Sequence, residues 1–537
     1  MGDLEGAHEM SFVSKGGAKA ESRAIADERD NNELIRLGKV PILKRNFAFL
    51  SILGFTCTVL ITWEASLILF LVGLTNGGPA GLVYGYLFVW GGNVVVFATL
   101  SELASMAPTS AGQYHWVAML STPRTRKFVS YLTGWITVCG WQATFASASY
   151  ITGGLVKGLV MLNYPDTNFQ EWHGLLFAWA IVLFCVFINT VVSFLLPKFE
   201  GLVLILHIVG FFAVLLPMVI LGNHGNTKDV FATFYNEGGW STQGLSFFVG
   251  LSGNAFAFVG TDGAFHMSEE VRNPSVVVPR SIMLSMLLNG IMGFATLVAL
   301  LFCMTGLEDV DSALNSPTGY PFMEIFYRIT DSMGGATTMV AVMTTLAISA
   351  TVGHLASTSR MFWSFARDRG VPGWRRFSRV NSRTSVPLWS IALTACLGCA
   401  LGLINLGSPI AFTNIVSLSI AGLYTSYLIT CGFLLYRRLT GYIAHPSEST
   451  SELANRVGEK VVWGPFRVPG LFGVITNSLA CLYLIILLVF SFFPIEQATS
   501  AQEMNYSSPI LLAALLFSLV WYFVYGRKEY SGPIIET

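Results

Sequence analysis

Charge is scarce in this sequence. Only 12% of its 537 residues are Asp, Glu, Lys or Arg, while 53% are hydrophobic. A soluble chain of this length needs a polar surface that such a composition does not supply, so the expected solvent is the lipid bilayer. Basic and acidic residues both number 31, and the formal net charge of zero excludes the electrostatic footprint of a nucleic-acid partner. An apolar leader is missing as well: residues 1–45 are polar and mixed in charge, which excludes a signal peptide and predicts a flexible tail. Cysteine is sparse, and all eight lie inside apolar runs, which excludes the disulfide framework of a small secreted protein. Cys396 and Cys399 form one C-x-x-C without a second pair, so they are expected to be packing residues. No metal-ligand or nucleophile–base constellation is found. The chain is expected to bind no metal and no cofactor, and not to be an enzyme.

What is abundant points the same way. Forty Phe, 13 Trp and 52 Gly suit transmembrane helices, which admit more glycine than soluble ones and gather aromatics at their ends. Windows of about 19 residues give twelve spans. They run near 48–74, 81–105, 130–156, 174–196, 200–222, 244–268, 282–305, 336–364, 388–406, 411–435, 470–493 and 508–525. With the amino terminus in the cytosol, all of the 31 Lys and Arg fall on the cytoplasmic side except Lys157, Lys228, Arg328 and the span-ending Arg360. The opposite loop before span eight carries Glu308, Asp309, Asp311 and Asp331. The expected organisation is therefore a cytoplasmic tail over 1–45, a transporter domain of twelve helices over 46–526, and a second cytoplasmic tail over 527–537.

In hydrocarbon every polar backbone group needs a partner, so a span that tolerates charge or breaks its helix does so around a cavity. Span one carries Thr62, Trp63, Glu64 and Ala65 near its middle. Span six is glycine-rich from Gly250 to Gly263, with Phe256, Phe258, Gly260, Thr261 and Asp262 in the run. These spans open two consecutive blocks of five, and interruptions at matching positions predict a five-plus-five inverted repeat with its site at the midplane. Glu64 is expected to attract an ammonium group, and Trp63, Phe256 or Phe258 to enclose it by cation–π contact. His207 in span five is the candidate for proton coupling. His266, Glu269 and Glu270 close span six and are expected to form a cytoplasmic gate or cap, whereas His354 in span eight is expected to be a helix packer.

At these residues the chain resembles the amino acid/choline transporter branch of the amino acid-polyamine-organocation superfamily, best represented among fungal permeases. The run from Gly260 through Glu269, Glu270 and Asn273 to Pro279 is similar to the family's signature after span six. The run from Ser357 through Arg360, Arg367 and Asp368 to Pro372 is similar to its second. Shorter likenesses lie at Ser101–Glu102, Gly464–Phe466 and Met504–Tyr506. The resemblance implies alternating access, uptake coupled to an ion gradient, usually protons, and substrate contacts at Thr62–Ala65 and Gly260–Asp262. Relatives often hold an amino acid carboxylate with a glycine loop in span one, where this chain has Trp63 and Glu64. Amino acids, choline, gamma-aminobutyrate, polyamines and other amines are thus the expected substrates. The plasma membrane is the expected location, with the vacuolar membrane as the alternative. A nutrient sensor of carrier fold and an amine exporter are the competing functions.

Overall fold

In a computed structural model the regular structure of the chain is helical over the described residues, which are 25–304, 316, 318–404, 406, 410–448, 453–498 and 500–536. Among them there is no β-strand, only isolated bridges at Phe47–Val271 and Ala444–Val462. We label the principal helices α1 (Phe49–Leu60), α2 (Thr62–Ile68), α3 (Phe70–Met106), α4 (Gln113–Leu120), α5 (Arg126–Asn163) and α6 (Glu171–Thr190). Then follow α7 (Leu196–Leu221), α8 (Gln243–Phe256), α9 (Gly263–His266), α10 (Pro274–Phe302) and α11 (Pro321–Thr330). The last are α12 (Met333–Arg367), α13 (Leu388–Ile404), α14 (Ile410–Leu439), α15 (Gly470–Phe490) and α16 (Ser507–Trp521).

Among the described residues, ten helical segments are long and apolar enough to cross a bilayer. The expected ninth span is the shorter apolar helix α13, and the expected sixth is divided between α8 and α9. Helix α3 contains its own corner: Gly78 has φ 63° and ψ −170°, followed by Pro79. The end of the expected first span and the whole of the second therefore meet there. The outward faces of α6, α7, α15 and α16 expose Leu183, Phe187, Leu202, Ile205, Leu482 and Leu512, the surface that hydrocarbon requires. Inside, small residues allow close approach. A Cβ on Gly422 of α14 would stand 2.7 Å from the Cα of Gly140 on α5, so glycine lets these two backbones touch.

The amino-terminal segment differs from the flexible tail expected of it. Residues 25–36 form a helix, and the chain after it docks against the bundle. Asp30 Oδ2 accepts from the backbone N–H of Asn273 at 2.7 Å, and the buried Lys39 pairs with the buried Asp368. The physical reason is pairing across 329 residues, which no local pattern reveals. Tyr530 at the other end is fully buried, bonded to Ser130 at 2.9 Å. Residues 1–24 of the expected tail, and Glu308, Asp309 and Asp311 of the acidic loop, lie outside the described residues.

Candidate functional site

Two helix breaks face one cavity. The first lies at Ile61, which stands between α1 and α2 at φ 36° and ψ 44°, a left-handed conformation that is an outlier for a β-branched residue. The second runs from Ala257 to Asp262 between α8 and α9, where Gly260 takes φ +100°. Between them is a small, partly open cavity. Its walls come from Val59, Leu60, Ile61, Ala65 and Leu69 at the first break and from Phe256 and Val259 at the second. Helix α5 adds Ala148, Ile151 and Thr152, and α12 adds Ala347, Ala350, Thr351 and His354. No charged side chain is in this lining unless His354 takes a proton. Helix α1 ends here, so its last carbonyl groups lack intrahelical partners beside the cavity and favour a cation.

Ile68, Leu69 and Ile151 also line a wider vestibule of about 430 Å³, whose rim includes Tyr150, Lys157, Tyr320 and Phe412. The opposite face is closed by ion pairs. Arg360 Nε donates to Glu270 at 2.9 Å, Arg367 Nη1 donates to Glu269 at 3.0 Å, and Arg367 also binds Glu536 through Nε at 2.6 Å. Asp368 takes Lys39, Tyr114 Oη at 2.8 Å and the backbone N–H of Ile534 at 2.8 Å. Burial raises the Glu536 carboxyl, but the hydrogen bonds and charge of Arg367 outweigh it and hold the group below its ordinary value. The cavity thus shares lining residues with the vestibule, and these ion pairs stand beyond it, further along α12.

The expected site residues separate into two groups. Ala65 and Phe256 border the cavity. Thr62, Trp63 and Glu64 are on the far side of α2, fully buried against α7 and α10. Glu64 Oε1 is 2.8 Å from His207 Nδ1, and Trp63 Nε1 is 3.2 Å from that same nitrogen. The other oxygen of Glu64 and Nε2 of His207 have no hydrogen-bond partner. A single ring nitrogen cannot accept from Trp63 and donate to Glu64 at once. With Glu64 ionised, Nδ1–H donates to it and the Trp63 N–H is idle. With the proton on Glu64, its O–H and the Trp63 N–H both point at a bare Nδ1. The cluster has two hydrogen-bond arrangements that differ by the place of one proton.

At the second break, Phe258 is buried with its ring 5.5 Å from that of Tyr86, away from the cavity lining. Thr261 Oγ1 donates to the Phe258 carbonyl at 2.9 Å. Asp262 Oδ2 accepts from Gln113 Nε2 at 2.8 Å and from Trp141 Nε1 at 3.0 Å, with His266 Nε2 at 3.4 Å. His266 donates through Nδ1 to the Ser110 carbonyl at 2.9 Å. Asp262 thus ties the break to α4 and α5. Reading from sequence missed Thr152, Thr351 and His354. The signal for Thr351 and His354 was present on α12, where Ala347, Ala350, Thr351 and His354 recur at i, i+3, i+4 and i+7, a stripe of small and polar residues on one face.

Interrupted helices around a cavity, in a bundle with an apolar outer face, define a multi-pass membrane transporter rather than an enzyme. The chain belongs to the amino acid permease family, whose model matches residues 47–516. It is 29% identical over 509 residues to the choline transporter of Saccharomyces cerevisiae, an alignment covering 94% of this chain and 86% of that one. It is 26% identical over 515 residues to an amino-acid permease of Arabidopsis thaliana, covering 93% and 95% of the two chains. Amino-acid permease 2 of Neurospora crassa is 24% identical over 533 residues, covering 98% and 93%.

Proposed function

We propose that the protein is a proton-coupled importer of a small amine, an amino acid or a choline-like solute, working by alternating access in the plasma membrane. The observation that carries this reading is the cavity between the two breaks with the Glu64–His207 pair directly behind its wall. The relatives' names supply the substrate class, since they include a choline transporter and amino-acid permeases. An ammonium group in the cavity meets the phenyl ring of Phe256 and the carbonyl end of α1, a weak field spread over many atoms.

The roles of the polar residues follow from where they point. Ala65 and Phe256 touch the solute, together with backbone at Ile61 and Val259. Gly260 and Thr261 shape the second break, Asp262 anchors it, and Phe258 packs behind it. Glu64 and His207 hold the coupling proton rather than the solute, because α2 carries Glu64 on one face and the cavity residue Ala65 on the next. Moving that proton changes which atoms of Trp63, Glu64 and His207 are paired, and so biases α2 between two positions. The basic loops support a cytoplasmic closed face and an extracellular vestibule. Release then requires Arg360–Glu270 and Arg367–Glu269 to open. A membrane potential of about 100 mV contributes about 2.3 kcal/mol to entry of each net positive charge.

The test is reconstitution of the full chain in liposomes with radiolabelled choline, gamma-aminobutyrate, polyamines and neutral amino acids, with and without an inward proton gradient. The expected result is accumulation of at least one of them that the gradient stimulates. Binding without accumulation of any solute contradicts the reading and favours a sensor.

A further inference from the structure

His354, on the face of α12 that lines the cavity, has one ring nitrogen committed and the other open. Nδ1 lies 2.8 Å from the carbonyl oxygen of Ala350, one turn earlier on the same helix. A carbonyl can only accept, so Nδ1 carries the proton and donates. Nε2 makes no hydrogen bond within the described residues, although the ring is 95% buried and borders the cavity. The ring is held in place. Its centroid is 6.2 Å from that of Trp141, whose own N–H is fixed on Asp262, and a Cβ at Gly260 would come within 3.1 Å of Nε2. The nearby acid Asp262 has its Oδ2 taken by Gln113 and Trp141 and makes no hydrogen bond to the ring. The other polar side chains of the lining are Thr152 and Thr351, whose hydroxyls lie 3.1 Å apart and also reach carbonyls of their own helices.

We infer that His354 is a specificity-determining residue: its Nε2 accepts a hydrogen bond from an N–H of the substrate's ammonium, so that the cavity prefers primary amines to their trimethylated counterparts. A trimethylammonium group has no N–H to give and leaves this buried acceptor unpaired, which penalises it. The inference rests on the cavity being the substrate site.

The two ideas can fail separately. Ala350→Cys places a thiol in the cavity wall. Protection of that thiol from a small maleimide by gamma-aminobutyrate is expected, and no protection overturns both. Dissociation constants for gamma-aminobutyrate and its N-trimethyl derivative are then measured by calorimetry on the purified full chain. His354→Asn keeps the bond to Ala350 but withdraws the acceptor, whereas His354→Gln keeps an acceptor near the Nε2 position. His354→Asn is expected to weaken gamma-aminobutyrate about tenfold, or about 1.4 kcal/mol, and to leave the trimethyl derivative within about twofold. His354→Gln is expected to restore gamma-aminobutyrate to within about threefold of the wild type. Equal weakening of both ligands marks a structural role and overturns the inference. An unchanged His354→Asn variant, or a wild type that prefers the trimethyl derivative, overturns it too.

Discussion

The two helix breaks meet the same geometric demand by opposite means. The first turns on one residue, Ile61, held left-handed at φ 36° with a β-branched side chain. The second spreads the turn over Ala257–Asp262 and gives the left-handed position to Gly260. Each has a buried acid close behind it and a histidine in reach. At the second break Asp262 is bonded to two donors and stays where it is. At the first, Glu64 and Trp63 compete for one nitrogen of His207. Each break leaves one carboxylate oxygen and one imidazole Nε2 without a hydrogen-bond partner, so the contrast lies in the bonds that are made: two fixed donors on one oxygen anchor a break, and a contested nitrogen leaves it able to change state.

The comparison is broken most severely at Asp262. Asp262→Ala leaves the N–H groups of Gln113 and Trp141 buried without an acceptor, at about 1–3 kcal/mol each. The expected outcome is loss of a monodisperse peak in size-exclusion chromatography, whereas Glu64→Gln elutes as the wild type does. Next in size is a pair of unequal effects. Gly260→Ala forces a Cβ into a left-handed position 3.1 Å from His354 and Val59, and is expected to lower thermal stability by about 1–2 kcal/mol. Ile61→Gly relieves the strain at the first break and is expected to cost less than about 1 kcal/mol, or to stabilise. A thermal-shift assay on both variants reads the difference. Trp63→Phe removes one competitor for His207 and is expected to shift the pH dependence of uptake while leaving thermal stability within about 1 kcal/mol of the wild type.

The smallest effect lies on the closed face, which is continuous with the second break through Glu269 and Arg367. Arg367 holds Glu536 below its ordinary value, so this contribution to stability is complete above the unfolded carboxylate value of about 4.5 and is lost as pH falls through the depressed one. Limited proteolysis of the carboxyl-terminal segment is expected to quicken only in that acidic range, and Glu536→Gln is expected to show the faster rate at neutral pH.

Much of this was legible before any coordinates. Apolar runs and the distribution of basic residues outlined the spans, and the glycines near Gly260 located the second break. Glu64 stood out because a carboxylate in mid-span is costly. The directions of side chains at the first break were not legible. Ile61 restarts the helix, so the phase counted along α1 does not carry into the seven residues of α2, and nothing local says whether Glu64 or Ala65 meets the cavity. The docking of the tails was hidden for another reason: Lys39 and Glu536 find their partners on the residue after α12 and on α12, 329 and 169 positions away. His354 was visible as one member of the α12 stripe, but a histidine on a helix face is ordinarily packing, and only the open Nε2 beside a cavity separates it from that class.

The central claim is that Glu64 and His207 carry the proton while the cavity carries the solute. The most direct test is Glu64→Gln in liposomes, comparing gradient-driven accumulation with exchange of labelled for unlabelled solute across the same membrane at equal pH. The account predicts that accumulation falls at least about tenfold while exchange persists, because the solute path is intact and only its coupling is gone. Accumulation at the wild-type level, or loss of exchange together with accumulation in a well-folded protein, would contradict it.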